Sequence, residues 1–225
     1  MVVLNLIQNL AVLVAMSVFS GMIRNRYTQR RNEALLQGLL FGAASVIGML
    51  HPVVMAPGLI FDGRSVMISL CGLFFGPLAA GIAASMAAGC RILQGGNGML
   101  MGVSVCAVSA LLGVVFHYRY ARRNADVSIW RLMAFGLLVH VGMLCCTLAL
   151  PSKIILEVLT TITAPVLLMY TLATVLVGRV LSDQLARDAL AGVLRENEET
   201  LRTTLYSIGD GIIATDQTGC VRQMN

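Results

Sequence analysis

The chain has 225 residues, 57% of them hydrophobic and only 12% charged, and its mean hydropathy of +0.82 is far above that of a soluble domain. The net charge of +5 comes largely from arginines between apolar runs, a pattern of membrane topology that argues against nucleic acid as a partner. Composition therefore excludes an ordinary soluble domain and predicts an all-α polytopic membrane protein.

Six apolar runs are candidates for membrane helices, because about 20 apolar residues cross the roughly 30 Å hydrocarbon layer. They cover about residues 2–23, 34–54, 65–90, 99–116, 132–150 and 154–178. The first run lacks the charge and cleavage signals of a removable signal peptide, so we predict that it is the first membrane helix. Most cysteines lie inside these runs, where they are expected to be packing residues rather than disulfides.

The arginines form three clusters that the positive-inside rule assigns to the cytoplasm. These are Arg24, Arg26, Arg30 and Arg31, then Arg119, Arg122 and Arg123, and finally Arg179. Three apolar runs separate the first cluster from the second, although an even number of crossings is required. One of these three runs therefore does not cross the membrane.

We predict that the exception is the run 65–90, because Gly76-Pro77 interrupts it at its midpoint. Two half-helices, about 65–76 and 78–90, would form a re-entrant hairpin and return Arg91 to the side of Arg64. The expected architecture is five transmembrane helices plus this hairpin in the bacterial plasma membrane, with the C-terminus cytoplasmic. The glycines expected to allow close packing of the half-helices are Gly72, Gly76, Gly81 and Gly89.

The hairpin would bring two arginines to the outer face. Arg64 begins the first half-helix, and Arg91 precedes the loop Gly95-Gly96-Asn97-Gly98 before the next helix. Guanidinium groups and helix N-termini both attract anions, so this arrangement predicts an anion site. An equally weighted alternative is that both arginines only anchor the chain at the interface, Arg64 with Asp62 as its partner.

Two histidines are open to more than one interpretation. His51 ends the second run on the outer side, where it would either bind a carboxylate or simply lie at the interface. His140 lies in the middle of an apolar run, where an ionisable group is a functional candidate, although a neutral imidazole bonded to a neighbouring helix is the favoured alternative.

Four short motifs then point to a family: NLIQN, PGLIFDGRS, GLFFGP and RILQGGNG. They closely resemble the LytS-type (LytS-YhcK) five-transmembrane sensor domain of bacterial signalling proteins, over about residues 1–175. The resemblance implies the membrane input of a sensor histidine kinase, sometimes linked to cell-wall control, or of a cyclic-di-GMP enzyme. It also implies a small carboxylate ligand, such as pyruvate, bound through Arg64 and Arg91.

The sequence departs from the carboxylate-sensing relatives in the helix that follows Arg91. Those relatives have Cys and Ser where this chain has Gly102 and Val105, while Ser104 and Cys106 are close but out of register. We expect the ligand to contact residues 102–106, including Ser104 and Cys106. The departure leaves the identity of the carboxylate open.

The polar tail divides the chain into three predicted parts: a sensor domain over 1–178, a cytoplasmic signalling helix over 179–206 and the first hairpin of a PAS domain over 207–225. Leu194, Leu201 and Ile208 follow a seven-residue spacing, which predicts a parallel homodimer, with an ordinary amphipathic linker as the alternative. Strand-forming residues on both sides of Asp216–Gly219 resemble the opening of a PAS domain. We expect this sequence to be a fragment of a longer protein.

The expected function is therefore a membrane input module whose partners are a small anion, membrane lipid and a second copy of the chain. A transporter-like solute-binding protein is the alternative, but a carrier needs neither the linker nor the PAS opening. No metal spacing, phosphate-binding loop or nucleophile and base pair is present, so we expect no metal, cofactor or catalytic residue. The parent protein's enzyme cannot be identified from this segment.

Overall fold

The computed structural model resolves the chain into two compact units, Met1–Leu185 and Ala186–Asn225. It describes residues 15–16, 18–24, 30–50, 53–56, 59–96, 98–121, 127–149, 159–160, 163–207, 213–215 and 220–224. His51, Asn97 and Ile208 lie outside the described residues, as does most of the first predicted membrane run, 2–23.

Helices make up most of the described chain. The α-helices are α1 (Arg30–Leu50), α2 (Arg64–Gln94), α3 (Met99–Phe116), α4 (Ile129–Cys146) and α5 (Thr171–Ser207). Short π-helical turns occupy His117–Ala121 and Val166–Tyr170, and a 3-10 turn occupies Thr147–Ala149. Two antiparallel strand pairs also lie within the described residues: β1 (Val53–Ala56) with β2 (Leu59–Phe61), and β3 (Ile213–Thr215) with β4 (Val221–Met224).

Five of the described helical stretches are long and apolar enough to cross a membrane: Arg31–Leu50, Arg64–Gln94, Met99–Tyr120, Ile129–Cys146 and Thr163–Thr204. The prediction of a helical polytopic membrane protein is confirmed. The last stretch joins the predicted final crossing and the predicted linker in one helix, because α5 continues without a break to Ser207.

The predicted second run, 34–54, is too long at its C-terminal end. α1 stops at Leu50, and Val53–Ala56 forms β1 instead. The reason is local chemistry, because Pro52 cannot continue the helical hydrogen-bond pattern and the two valines after it favour extended backbone. The small β1–β2 pair was therefore missing from the all-α prediction.

Helix α2 is interrupted at Gly76, whose φ of 81° and ψ of −168° suit glycine far better than any other residue. At the start of α2, a Cβ added to Gly48 would lie 2.6 Å from the Asp62 carbonyl oxygen. At its end, Gln94 Nε2 donates a hydrogen bond to the Met49 carbonyl oxygen at 3.4 Å. Both ends of α2 thus lie beside the C-terminal end of α1, so the two halves of α2 run in opposite directions.

The reversal at Gly76 is stabilised by a histidine from the π turn that follows α3. His117 Nδ1 donates to the Leu73 carbonyl oxygen at 2.8 Å, and its ring lies against Gly76. The helix break leaves carbonyl groups such as that of Leu73 without partners in their own helix. We call the side of the bundle near Leu50 the arginine end and the side near Gly76 the turn end.

Close helix contacts depend on a few glycines. A Cβ on Gly72 would lie 3.0 Å from the Gly113 Cα, and one on Gly113 would overlap the Ser69 carbonyl oxygen. Gly81 and Gly89 make no such close contact within the described chain, because no described atom outside their own helix lies within 4 Å of a Cβ at either position. Those two glycines point away from the described neighbouring helices.

We expect Gly113→Ala to destabilise the bundle by about 1–3 kcal/mol, because the new methyl group would overlap backbone atoms that cannot move aside cheaply. Thermal unfolding of the purified protein in detergent measures this effect. Gly81→Ala is the matched control and should leave the melting temperature unchanged or slightly raised, since alanine favours helix. Equal melting temperatures for the two variants would contradict the packing of α2 on α3.

Candidate functional site

Arg64 and Asp62 form a largely buried ion pair at the arginine end. Arg64 Nη1 lies 3.3 Å from Asp62 Oδ2, and the side chains are only 13% and 16% exposed. The backbone N–H of Arg64 also donates to Asp62 Oδ1 at 3.4 Å. The Nε atom of Arg64 is buried and has no hydrogen-bond partner among the described residues. One donor of this guanidinium group is therefore available to a further acceptor.

Arg91 reaches the same end from the last turn of α2. Its side chain crosses α3 where two glycines leave room: a Cβ on Gly102 would lie 2.7 Å from Arg91 Cγ and Nε, and one on Gly98 would lie 3.0 Å from Nη2. Nη1 donates to Gln94 Oε1 at 3.3 Å. In the sequence analysis, Gly102 is noted only because the carboxylate-sensing relatives have a polar residue at this position. In the structure, its lack of a side chain leaves the room that Arg91 needs to lie against α3.

Cys106 lies one helical turn beyond Gly102 on α3 and is buried. Its thiol is close enough to Arg64, Asp62 and Arg91 to interact electrostatically with all three. Arg91 thus lies against α3, and the charges of Arg64 and Asp62 act on the same thiol from the start of α2. The fold brings together four of the residues named from the sequence.

The other predicted site residues have different surroundings. Ser104 donates its hydroxyl to the Leu100 carbonyl oxygen at 2.9 Å, within its own helix. Gly95 and Gly96 have φ angles of 64° and 83° and form the turn between α2 and α3. The Gly95 N–H donates to the carbonyl oxygen of Arg91 at 3.2 Å. These glycines position Arg91, while His51 and Asn97 lie outside the described residues.

Sequence analysis missed a polar network beside the ion pair. The Tyr170 hydroxyl hydrogen-bonds to the backbone of Asp62, and its ring packs edge-on against His140 with 5.3 Å between centroids. A single tyrosine within an apolar run was the available signal. Tyr170 belongs to the π turn Val166–Tyr170, so this network links the start of α2 to the helix that leaves the bundle.

His140 is fully buried and bonded on both ring nitrogens. Nδ1 lies 2.6 Å from the Gly136 carbonyl oxygen and therefore carries the proton, which leaves Nε2 to accept from the Ser65 hydroxyl at 3.4 Å. A neutral imidazole bonded to a neighbouring helix was the favoured alternative for this residue. Its place in the network is therefore structural.

Metal and disulfide chemistry find no support in the part of the chain that is described. None of the six cysteines forms a disulfide. No group of three or more His, Cys, Asp or Glu side chains with the geometry of a metal site occurs among the described residues.

A family model described as 5TMR of 5TMR-LYT matches residues 16–184. The chain belongs to this family. Its members are membrane sensor domains of signalling proteins, so the predicted LytS-type five-transmembrane sensor domain is confirmed. The match covers α1 to α4 and the membrane part of α5, including every residue of the arginine end described above. No curated protein and no solved structure matches the chain.

We expect His140→Leu to destabilise the protein by about 1–3 kcal/mol, because the Ser65 hydroxyl would lose its partner inside a closely packed region. Thermal unfolding in detergent measures the loss. Leu138→Ala, an exposed position on the same helix, is the control and should have a much smaller effect. A His140→Leu variant as stable as the parent would contradict the structural role of this histidine.

Proposed function

We propose that this chain is the membrane input module of a bacterial signal-transduction protein and that it binds a small extracytoplasmic carboxylate between Arg64 and Arg91. The signal would pass through α5 to a cytoplasmic PAS domain and an output domain. The observation that carries the proposal is the buried Nε donor of Arg64, which has no partner among the described residues, in a site with two arginines and one carboxylate.

Charge supports an anion as the ligand. Asp62 neutralises one of the two guanidinium groups, so the group of charges around Cys106 remains net positive. A small anion would complete this balance, whereas a cation would be repelled. A carboxylate also matches the planar donor geometry of arginine, which can bind both of its oxygens at once.

The proposed orientation has the arginine end outside and the turn end in the cytoplasm. Arg119 is exposed next to His117, and Arg131 stacks on Tyr120 at 5.2 Å from its ring centroid, both toward the turn end. Short arginine-rich segments favour the cytoplasmic side. In this orientation α2 is a re-entrant hairpin that enters and leaves on the outer face.

The cytoplasmic part of the proposal rests on α5 and the β3–β4 pair. Leu194 and Leu201 are exposed on α5, as expected for residues that meet a second copy in a parallel homodimer. The β3–β4 pairing agrees with the opening strands of a PAS domain. A sensor histidine kinase acting in a phosphorelay that controls the cell wall is our leading proposal for the output, and a diguanylate cyclase or phosphodiesterase is the alternative.

A transporter-like function is the second candidate, because half-helices that meet inside the bundle also occur in carriers. The family match favours the sensor. The continuous α5 does so too, since a carrier does not need a helix that extends into a second unit.

We expect Arg64→Ala and Arg91→Ala each to weaken carboxylate binding by about 2–4 kcal/mol, because each removes a charge-assisted hydrogen bond in a largely buried site. Calorimetry of the purified protein with pyruvate, lactate and succinate measures the effect. Lysine at either position should restore little, since an ammonium group cannot bind both oxygens. Arg131→Ala, at the turn end, is the control. Unchanged binding in both alanine variants would overturn the anion site.

We also expect cysteines introduced at positions 64 and 91 to react with a membrane-impermeant maleimide added outside intact cells, because both ends of α2 lie at the arginine end. A cysteine at position 119 should react only after the cells are opened. If position 64 were labelled from outside and position 91 only from the cytoplasm, α2 would be a single crossing and the re-entrant hairpin would be wrong.

A further inference from the structure

The π turn Val166–Tyr170 lies where the candidate site meets the helix that leaves the bundle. Its last residue, Tyr170, is buried, whereas Leu168 and Met169 in the same turn are exposed. α5 begins at the next residue, Thr171, and continues to Ser207. The only polar side chain of this turn therefore faces the ion pair, at the start of the longest helix in the described chain.

A π turn is rare and less stable than an α-turn, so it persists only where specific contacts hold it. Here the Tyr170 hydroxyl bonds to the Asp62 backbone, and the Tyr170 ring packs on His140. Asp62 also holds Arg64 through its carboxylate. A ligand that draws Arg64 away from Asp62 would therefore disturb the residue to which Tyr170 is attached.

We infer that Tyr170 is the positioning residue that couples the Arg64–Asp62 pair to α5, by holding Val166–Tyr170 in π geometry until the pair rearranges. This inference rests on the proposed function for the identity of the ligand that triggers the change. The contacts by which Tyr170 fixes the start of α5 do not depend on any ligand. Release of Tyr170 would let the turn rewind toward α geometry. The rewinding would lengthen the turn and shift α5 along its axis by on the order of 1–2 Å, which is the size of helix shifts in switching proteins.

The structure contains a native reporter of this movement. The Ser182 hydroxyl, on α5, accepts a hydrogen bond from the Val127 N–H at 2.9 Å, and both residues are buried. Hydrogen bonds of this kind fail beyond about 3.2–3.5 Å. A shift of α5 by 1–2 Å would therefore break the bond and expose the Val127 amide to exchange.

The test compares Tyr170→Phe with the parent protein by hydrogen–deuterium exchange in nanodiscs, with and without pyruvate. Phenylalanine keeps the ring and removes only the hydroxyl. We expect Tyr170→Phe without ligand to show exchange at Val127 that is faster by on the order of tenfold, the size expected for loss of one hydrogen bond. Pyruvate should produce the same change in the parent and no further change in the variant.

Two further variants serve as controls for an indirect effect of the substitution. Tyr118→Phe removes the hydroxyl of an exposed tyrosine in the other π turn and should leave exchange at Val127 unchanged. Deletion of Leu168, an exposed residue, removes the extra residue of the π turn, so the turn can close in α geometry while α5 keeps its position. Exchange at Val127 in this variant should stay as slow as in the parent and should not respond to pyruvate, even if Tyr170→Phe folds poorly.

The outcomes separate the two proposals. Exchange at Val127 in Tyr170→Phe that equals the parent, or a normal pyruvate response in that variant, would overturn the coupling role of Tyr170. Faster exchange in Tyr170→Phe together with no response of the parent to pyruvate would support the coupling and reject pyruvate as its trigger.

Discussion

The reversal of α2 at Gly76 is the constraint on which the rest of the described bundle depends. A straight helix of 31 residues would hold its ends about 46 Å apart. Because Gly76 takes up a backbone conformation suited to glycine and Pro77 cannot continue the preceding turn, the chain folds back on itself. Both ends of α2 then lie beside the end of α1, and the arginines that they carry lie at the same end of the bundle.

Folding back has costs that other residues offset. The break leaves carbonyl groups without helical partners, and His117 from the π turn after α3 supplies a donor to one of them. Two antiparallel half-helices also need close neighbours inside an apolar bundle, where packing rather than the hydrophobic effect drives association. The contact between Gly72 and Gly113 supplies this closeness. The polar histidine and the glycine pair are thus consequences of one chain reversal.

At the arginine end, Asp62 has several partners at once. Its carboxylate binds the Arg64 guanidinium group and N–H, and its backbone binds Tyr170. A single residue between β2 and α2 therefore connects the charged group to the helix that extends into the second unit. Because Asp62 contacts both groups, a change in the charge around Arg64 would also alter the packing of Tyr170.

The sequence by itself determined the membrane class and the break at Gly76-Pro77, and it singled out Arg64, Arg91 and Cys106 as candidates for one site, because hydropathy, proline chemistry and charge within apolar segments are local properties. It did not determine that Gly102 makes room for Arg91, that Gly81 and Gly89 lack close neighbours among the described residues, or that Tyr170 lies beside Asp62. Those features depend on which helix faces lie together, and that is decided only when residues distant in the chain pack against one another.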